Sequence, residues 1–296
     1  YNTAFGYECL RLATTAANNT AMGHYALGAT TTGYRNTAIG ATAGDAITTG
    51  LANTTMGFES LTTLTTGSNN VAIGEQALAN STTGGNNTAV GRKALKAVTT
   101  GTHNDAFGFE CADNLTTGHS NTLIGNGITT ASVSTSNANG LGVDLVCADN
   151  YTTIGQGSAD IRTSHGSTSW ATVSDKRVKK DIKDSTVGLA FINDLRPVTF
   201  NYKNKGDLPK NFKGYEENST EVYKNPKSQH GFIAQEVKAA IDKHSDIKDG
   251  FSMWDDDDPS GQQRVGEAAV IPVLVKAVQE LSAQVEELKA QITEEK

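Results

Sequence analysis

Cysteine, long apolar runs and, over its first half, charge are all scarce in this sequence of 296 residues. The three cysteines, Cys9, Cys111 and Cys147, form no C-x-x-C pair, so neither a disulfide framework nor a zinc site is expected. We find no run of the roughly 18 apolar residues that a membrane span needs, and no secretory signal peptide. The net charge of −7 disfavours nucleic acid as a partner, because phosphate binding requires a basic face. Since the chain starts at Tyr1, we expect a fragment or a processed product.

The few charges are distributed unevenly and divide the chain into two parts. Residues 1–173 contain 16 charged residues, whereas residues 174–296 contain 41. The first part is rich in Thr, Asn, Gly and Ala, a composition that alone would suggest disorder. The length of the chain fits about two domains.

A short phrase recurs through the first part at a fixed interval. N-T-A-F-G at residues 2–6 is followed by seven variants, each 17 residues after the last, and most units close with a Thr-Gly pair. The phrases begin at Asn2, Asn19, Asn36, Asn53, Asn70, Asn87, Asn104 and Asn121. Disordered chains have no reason to keep such a register, so the period indicates a folded repeat.

Units of this length with glycine at fixed points predict the coils of a β-solenoid. Glycine would occupy corners that need positive φ, equivalent residues would stack about 4.8 Å apart, and stacked asparagines could hydrogen-bond along the stack. A helical repeat is a poorer alternative, because helix formers are scarce. Cys9 and Cys111 share one column six coils apart. That separation, roughly 29 Å, excludes a disulfide within one chain. The same column holds Ala or Ser in the units between them, so we predict that both cysteines are small buried residues.

Residues 128–173 lose the 17-residue step, apart from one echo at 152–155. Short strands are predicted at 151–154, 159–163 and 170–173. We therefore predict a fibrous β neck at 128–173, wrapped around a trimer axis, between a solenoid at 1–127 and a different domain at 174–296.

The charged second part contains four motifs in order. They are S-D-K-R-V-K at 174–179, R-P-V-T-F-N-Y at 196–202, G-F-I-A-Q-E-V at 231–237, and an apolar heptad seam. The second motif predicts a strand and the third a strand leading into a helix. The seam predicts a coiled coil over 270–293, and its apolar residues are Ile271, Leu274, Val278, Leu281, Val285, Leu288 and Ile292. β-Branched residues alternating with Leu favour two strands in a parallel coil.

Both parts of the sequence resemble known families. The repeated phrase resembles the head repeats of trimeric autotransporter adhesins and repeats in many phage tail fibres. The four motifs resemble the intramolecular chaperone of phage tail spikes and fibres, a self-cleaving serine peptidase that lies C-terminal to endosialidases. The resemblance implies a homotrimer with a mainly β solenoid of parallel β-roll repeats, followed by an α+β chaperone domain ending in a coiled coil.

The chaperone resemblance also implies a self-cleavage site. The family's cut falls just before the serine of a Ser-Asp pair, here between Val173 and Ser174, and its Ser–Lys dyad corresponds to Ser174 and Lys179. A serine hydroxyl needs a base, and a lysine can serve where burial or nearby positive charge, here from Arg177, lowers its pKa. Asp175 would either hold the turn or orient the lysine.

Alternatives remain open at this site. Residues five apart lie about 140° apart around an α-helix, so Ser174 must lie outside a helix or receive its lysine from another chain. Ser174-Asp175 could instead be a simple helix N-cap. No cofactor and no metal is expected: the acidic stretch at 254–259 lacks spaced ligands, and His230 is interpreted as a core or interface residue.

Together these features predict a phage tail fibre of the virion that attaches to a host receptor or glycan. It would join other tail proteins through a part N-terminal to Tyr1, and its chaperone domain would act in the host cytoplasm during assembly. Any enzymatic activity would be a single self-cleavage. The alternatives are a polysaccharide-degrading tailspike whose catalytic part lies outside this chain, and a bacterial trimeric adhesin.

Overall fold

The computed structural model describes residues 1–248 and 251–294. The chain divides into two compact units, Tyr1–Lys179 and Lys180–Lys296, and each has a hydrophobic core of its own. Within the described residues, the first unit consists of short β-strands and one short 3-10 helix, and the second combines α-helices with short strands.

The first unit is a β-solenoid in which one short strand of each coil stacks on the next. Its strands are β1 Thr3–Phe5, β2 Thr20–Met22, β3 Thr37–Ile39, β4 Thr54–Met56, β5 Val71–Ile73, β6 Thr88–Val90, β7 Asp105–Phe107, β8 Thr122–Asn126, β9 Thr129–Thr130, β10 Asn139–Val143, β11 Val146–Cys147, β12 Tyr151–Gln156, β13 Ala159–Ser164 and β14 Ala171–Thr172. Strands β1 to β8 pair in parallel in chain order, with registers such as Thr3↔Thr20 and Asp105↔Thr122. The predicted β-solenoid with a 17-residue repeat is confirmed.

Parallel stacking continues past residue 127, where the sequence-based boundary was drawn. Strand β10 pairs in parallel with β8 through Thr122↔Asn139, again 17 residues on (139 − 122), and β12 pairs in parallel with β10. The sequence hides this coil because Gly140 stands where most earlier units have Ala. Antiparallel pairing of β13 with β12, and of β14 with β13, then ends the stack. The boundary therefore marks the end of the repeated phrase and not the end of stacking.

The coil interior is lined by small and branched apolar side chains. Successive side chains of a strand point to opposite faces, so the central residue of each strand faces inward. Ala21 and Ala72 are fully buried, whereas Met22 and Met56 on the opposite face are 46% and 43% exposed. We call the outward-facing apolar residues the outer column; it consists of Phe5, Met22, Ile39, Met56, Ile73, Val90, Phe107, Ile124 and Leu141.

The repeated asparagines form a hydrogen-bonded ladder through the stack. The Asn53 backbone N–H and side-chain Nδ2 donate to Asn36 Oδ1 at 3.0 and 3.1 Å, and Nδ2 also donates to the Gly67 carbonyl at 3.0 Å. The same pattern recurs at Asn70, Asn87 and Asn104. The predicted asparagine ladder is confirmed.

The three cysteines are free thiols of the first unit. Cys111 and Cys147 are buried, and desolvation raises the pKa of their thiols to about 12 and about 11. Cys9 is only partly buried and packs against the core. The prediction of a small buried residue is therefore confirmed at Cys111, whereas Cys9, in the first coil, is covered less completely.

The second unit is built around three α-helices of the described residues. Its α-helices and strands are α1 Leu189–Asp194, β15 Val198–Phe200, β16 Gln229–Gly231, α2 Ala234–Asp242, β17 Trp254–Asp255, β18 Arg264–Val265 and α3 Ile271–Glu294, and two short 3-10 helices lie at Lys205–Asp207 and Glu267–Val270. Strand β15 pairs antiparallel with β16, and β17 pairs antiparallel with β18. Phe191 of α1, Val237 of α2 and Val273 of α3 meet in its core. The predicted strand within 196–202, the strand leading into a helix at 231–237, and the C-terminal helix are all present.

Helix α3 contains the heptad seam. Val273 and Ala277 are buried, whereas every seam residue is at least 43% exposed in the single chain. The helical segment Glu267–Thr293, which contains nearly all of α3, is also, by length and composition, the one segment of the described residues apolar enough to cross a membrane: an 18-residue stretch of it has a mean hydropathy of 1.3. The expectation that no segment is apolar enough for a span therefore has one exception. One such helix is weak evidence, because an apolar heptad seam gives the same composition.

Candidate functional site

The S-D-K-R-V-K segment begins almost directly after the last strand of the solenoid sheet. Strand β14 ends at Thr172, and its residues pair with β13 through Arg162↔Ala171 and Ile161↔Thr172. The Val173–Ser174 peptide bond is therefore separated from a hydrogen-bonded strand by a single residue.

A short 3-10 helix, Lys176–Val178, folds the segment back on itself. The residues on either side are extended, with φ/ψ of −70°/135° at Asp175 and −111°/143° at Lys179. Lys179 Nζ consequently lies 2.7 Å from Ser174 Oγ and donates a hydrogen bond to it. An α-helix would separate residues five apart, but one 3-10 turn between extended residues brings them together within one chain.

Asp175 and Arg177 form a second interaction inside the same turn. The Asp175 carboxylate caps the 3-10 helix by accepting the Arg177 backbone N–H at 2.8 Å. It also binds the guanidinium, with Arg177 Nε 3.0 Å from Oδ1 and Nη2 2.6 Å from Oδ2. These hydrogen bonds to the Arg177 guanidinium and backbone hold the pKa of the Asp175 carboxyl below its usual range. The positive charge expected near the lysine is thus paired with Asp175.

The dyad is exposed to solvent in the single chain. Ser174, Lys179 and their neighbours are all exposed, and the apolar side chain of Val178 is 70% exposed. Burial is one of the effects that favour the neutral form of a lysine amine. In the single chain, Ser174 and Lys179 are therefore accessible to solvent.

The other residues selected from the sequence lie elsewhere. His230, on β16, is exposed, and its Nδ1 lies 3.4 Å from Thr199 Oγ1 of β15. In the acidic stretch, Asp258 accepts from the Ser260 backbone N–H at 2.8 Å and binds the Arg264 guanidinium. Across residues 1–248 and 251–294, no group of His, Cys, Asp and Glu side chains could hold a metal ion.

An ion pair that sequence reasoning missed connects two of the motifs. Arg196 donates from Nε to Glu236 Oε2 at 2.9 Å, and its Nη2 contacts the other carboxylate oxygen. This interaction lowers the pKa of Glu236 and joins the start of β15 to α2. The two residues are 40 positions apart, so no local pattern indicates the pair. The only signal in the sequence is that each residue belongs to one of the four motifs.

Helix α3 is tied to α1 by a carboxylate that was also missed. Glu280 Oε2 accepts the Leu189 backbone N–H at 2.8 Å, and so satisfies a donor in the first turn of α1. Lys276 lies one turn earlier on α3, with its Nζ 3.7 Å from Glu280 Oε1. The contact fixes one face of α3 on the second unit and leaves the seam exposed.

A comparison with known protein families found a match in the second part of the chain. Residues 174–246 match the family described as the chaperone of endosialidase, a family of phage tail proteins. The match begins at Ser174 and covers 73 of the 296 residues (246 − 173). No curated protein and no solved structure matches the chain. The chaperone-of-endosialidase segment and the β-solenoid that precedes it fit a protein of the phage tail fibre or tailspike type with a C-terminal intramolecular chaperone.

Proposed function

We propose that this chain forms a trimeric phage tail fibre whose C-terminal part, residues 174–296, drives assembly and then cuts itself off between Val173 and Ser174. The fibre would present its solenoid to a receptor or glycan on the host cell surface and connect to other tail proteins. The chaperone part would act in the host cytoplasm, and the fibre would remain in the virion. The observation that supports the self-cleavage is the contact between Lys179 Nζ and Ser174 Oγ, in the turn that begins one residue after β14, the last strand of the solenoid sheet.

Exposed apolar rows on both units support association of several copies. On the first unit, the outer column exposes large side chains such as Phe5, at 70%, and Phe107, at 39%. On the second unit, the α3 seam exposes Val278 at 63% and Ile292 at 57%. Continuous apolar surface of this kind marks interaction sites on soluble proteins. The same surface on each copy would be covered if identical chains packed side by side.

We take three as the number of copies from the resemblance to known families, and not from the heptad pattern of α3. β-Branched residues alternating with Leu in the α3 seam would by themselves favour two strands. The chaperone family and the adhesin-like repeats both imply three. A trimer also places the outer columns of three solenoids around one axis, where each coil, with only a thin core of its own, gains buried area.

The proposed cut is an N-to-O acyl shift followed by hydrolysis. With Lys179 as a neutral amine, Nζ takes the proton of the Ser174 hydroxyl while Oγ attacks the Val173 carbonyl carbon. The Val173–Ser174 C–N bond then breaks, the Ser174 nitrogen takes the proton to become an amine, and an ester joins Val173 to Oγ. Water hydrolyses the ester, which leaves a carboxylate at Val173 and restores the Ser174 hydroxyl.

The association of copies is tested on a chain that cannot cut itself. The Ser174→Ala protein should sediment as a particle of three chains of 31.1 kDa each. Electron micrographs of the same sample should show rods. A monomer at micromolar concentration would refute the trimeric fibre, because the exposed apolar rows would then have no partner in solution.

A further inference from the structure

We propose that Asp175 is a positioning residue of this self-cleavage site, acting by closing the turn that brings Lys179 to Ser174. The inference rests on the proposed self-cleavage and adds a role that sequence reasoning left undecided. Asp175 does not touch the reacting atoms in this scheme. Its carboxylate instead determines how often Ser174 and Lys179 are within hydrogen-bond distance.

The turn between the two dyad residues is held by few hydrogen bonds. Two are backbone bonds: Val178 N–H donates to the Asp175 carbonyl at 3.2 Å, and Lys179 N–H donates to the Lys176 carbonyl at 3.1 Å. The third is the 2.8 Å bond from the Arg177 N–H to Asp175 Oδ1. The Asp175 side chain therefore provides one of the three bonds that close the turn.

An exposed turn this short is marginally stable, so one bond changes its population. A single 3-10 turn fixes several dihedral angles for very few hydrogen bonds, and no residue of this one is buried. An N-cap acceptor changes the population of a helix start by about 2- to 30-fold. If the turn opens, both backbone bonds are lost and Lys179, beyond the turn, is no longer directed at Ser174.

The geometry argues against the alternative, in which Asp175 orients the lysine directly. Among the residues that the structure describes, every hydrogen bond to the Asp175 carboxylate comes from Arg177, either from its backbone N–H or from its guanidinium. Lys179 Nζ donates to Ser174 Oγ. The Asp175–Arg177 ion pair is itself exposed, with 88% of the Arg177 side chain accessible, so it contributes little on its own.

The two possible roles of Asp175, capping the turn and orienting Lys179 directly, predict different effects of its substitution on the rate and pH profile of cleavage. A carboxylate that acted directly on Lys179 would favour its ammonium form, so its removal would shift the pH profile of cleavage to lower pH. A cap that holds the turn changes the cleavage rate at every pH and leaves the midpoint of the profile in place. A serine at position 175 separates the two, because serine is a good N-cap without a charge.

The test measures cleavage rates of full-length chains from neutral to alkaline pH by intact mass. Asp175→Ala should cut about 5-fold more slowly than wild type. Asp175→Ser should cut within about 2-fold of wild type, and Arg177→Ala should have a similarly small effect. All should keep the wild-type pH midpoint, because the Arg177 side chain is 88% exposed and solvent screens its charge whether or not it is paired. Asp184→Ala, an exposed aspartate farther along the chain, is the matched control and should cut at the wild-type rate.

Three other results would overturn the inference, and each would show which step of it is wrong. A shifted pH midpoint in Asp175→Ala, or an Asp175→Ser chain as slow as Asp175→Ala, would show that the charge acts on the lysine. Wild-type rates in Asp175→Ala would show that the cap is irrelevant while self-cleavage itself stands. A wild-type chain that never cuts at Ser174 would remove the proposed self-cleavage and this inference with it.

Discussion

A buried amide is stable only when each of its polar atoms has a partner, and the asparagine column meets this need by sharing bonds between coils. Asn70 donates from Nδ2 to Asn53 Oδ1 at 3.1 Å and to the Gly84 carbonyl at 3.0 Å. Its own Oδ1 accepts from the backbone N–H and the Nδ2 of Asn87 at 3.0 and 3.2 Å. The repeated asparagine thus joins coil to coil.

Replacing Asn70 with alanine should lower the free energy of unfolding by about 2 to 3 kcal/mol. The substitution removes bonds to both neighbouring coils and leaves the buried Asn87 N–H without an acceptor. Chemical denaturation of the Ser174→Ala protein measures the change. Thr83→Ala, at an exposed position of the same coil, is the control and should shift stability by less than about 0.5 kcal/mol. Equal effects of the two substitutions would show that the ladder adds no stability.

Also at the scale of residues, the sequence predicted the stacked asparagine column but not the backbone conformation of the leucines. The Asn column is visible because one residue type recurs at one period, and a buried polar residue has few other reasons to recur. Leu27, Leu61, Leu78 and Leu95 adopt φ near +50°, a conformation that is rare for residues other than glycine. Residue preferences assign such corners to glycine, whereas stacking on neighbouring coils overrides that preference here.

At the scale of one element, the glycine that ends each strand is required for close stacking. Gly74 has φ of +130°, and a Cβ atom there would lie 2.5 Å from the Gly91 carbonyl oxygen of the next coil. Gly157, in the turn between β12 and β13, has φ of +53°, and a Cβ there would meet nothing within 4 Å.

These two glycines make a matched pair for mutation. Gly157→Ala should lower the free energy of unfolding by about 1 to 2 kcal/mol, the usual penalty of a left-handed alanine. Gly74→Ala should lower it by at least about 3 kcal/mol, because the neighbouring coil must also move. Denaturant midpoints of both variants in the Ser174→Ala background provide the comparison. If Gly74→Ala were the milder change, close approach between coils would not be what requires glycine.

Helix α3 is the element whose exposed seam is expected to join copies of the chain. Leu281 lies in the seam and is 45% exposed in the single chain. Leu281→Glu would place a charge between apolar partners, so we expect the assembled particle to dissociate at least in part. Gln284→Glu adds the same charge to an exposed position outside the seam and should leave the particle mass unchanged. Sedimentation of both proteins in the Ser174→Ala background measures this, and equal masses would exclude a role for the seam.

In the second part of the chain, the sequence predicted a helix and selected two site residues, but it did not predict the contacts between distant residues or between Ser174 and Lys179. The heptad period predicted α3, and the resemblance selected Ser174 and Lys179. Their spacing predicted no contact on an α-helix, because the 3-10 turn depends on a side-chain cap at Asp175 and on extended residues at both ends. The Arg196–Glu236 pair and the Glu280 contact to Leu189 depend on tertiary packing over 40 and 91 positions, which local patterns do not encode.

At the scale of the whole molecule, the two parts of the chain are built for different roles. The solenoid part has few charges and repeats one stacked unit, as the proposed fibre requires. The second part contains most of the charges, the family match and the exposed seam. The proposed cut would separate them one residue after β14, so the new end of the fibre would remain next to a paired strand.

The most direct test of self-cleavage is the intact mass of the purified wild-type chain beside Ser174→Ala, with Ser169→Ala as a control on the same segment. We predict that wild type and Ser169→Ala each give two pieces divided between Val173 and Ser174, whereas Ser174→Ala stays whole. Full-length chains in all three samples would contradict the proposed self-cleavage and leave Ser174 as a structural residue of the turn.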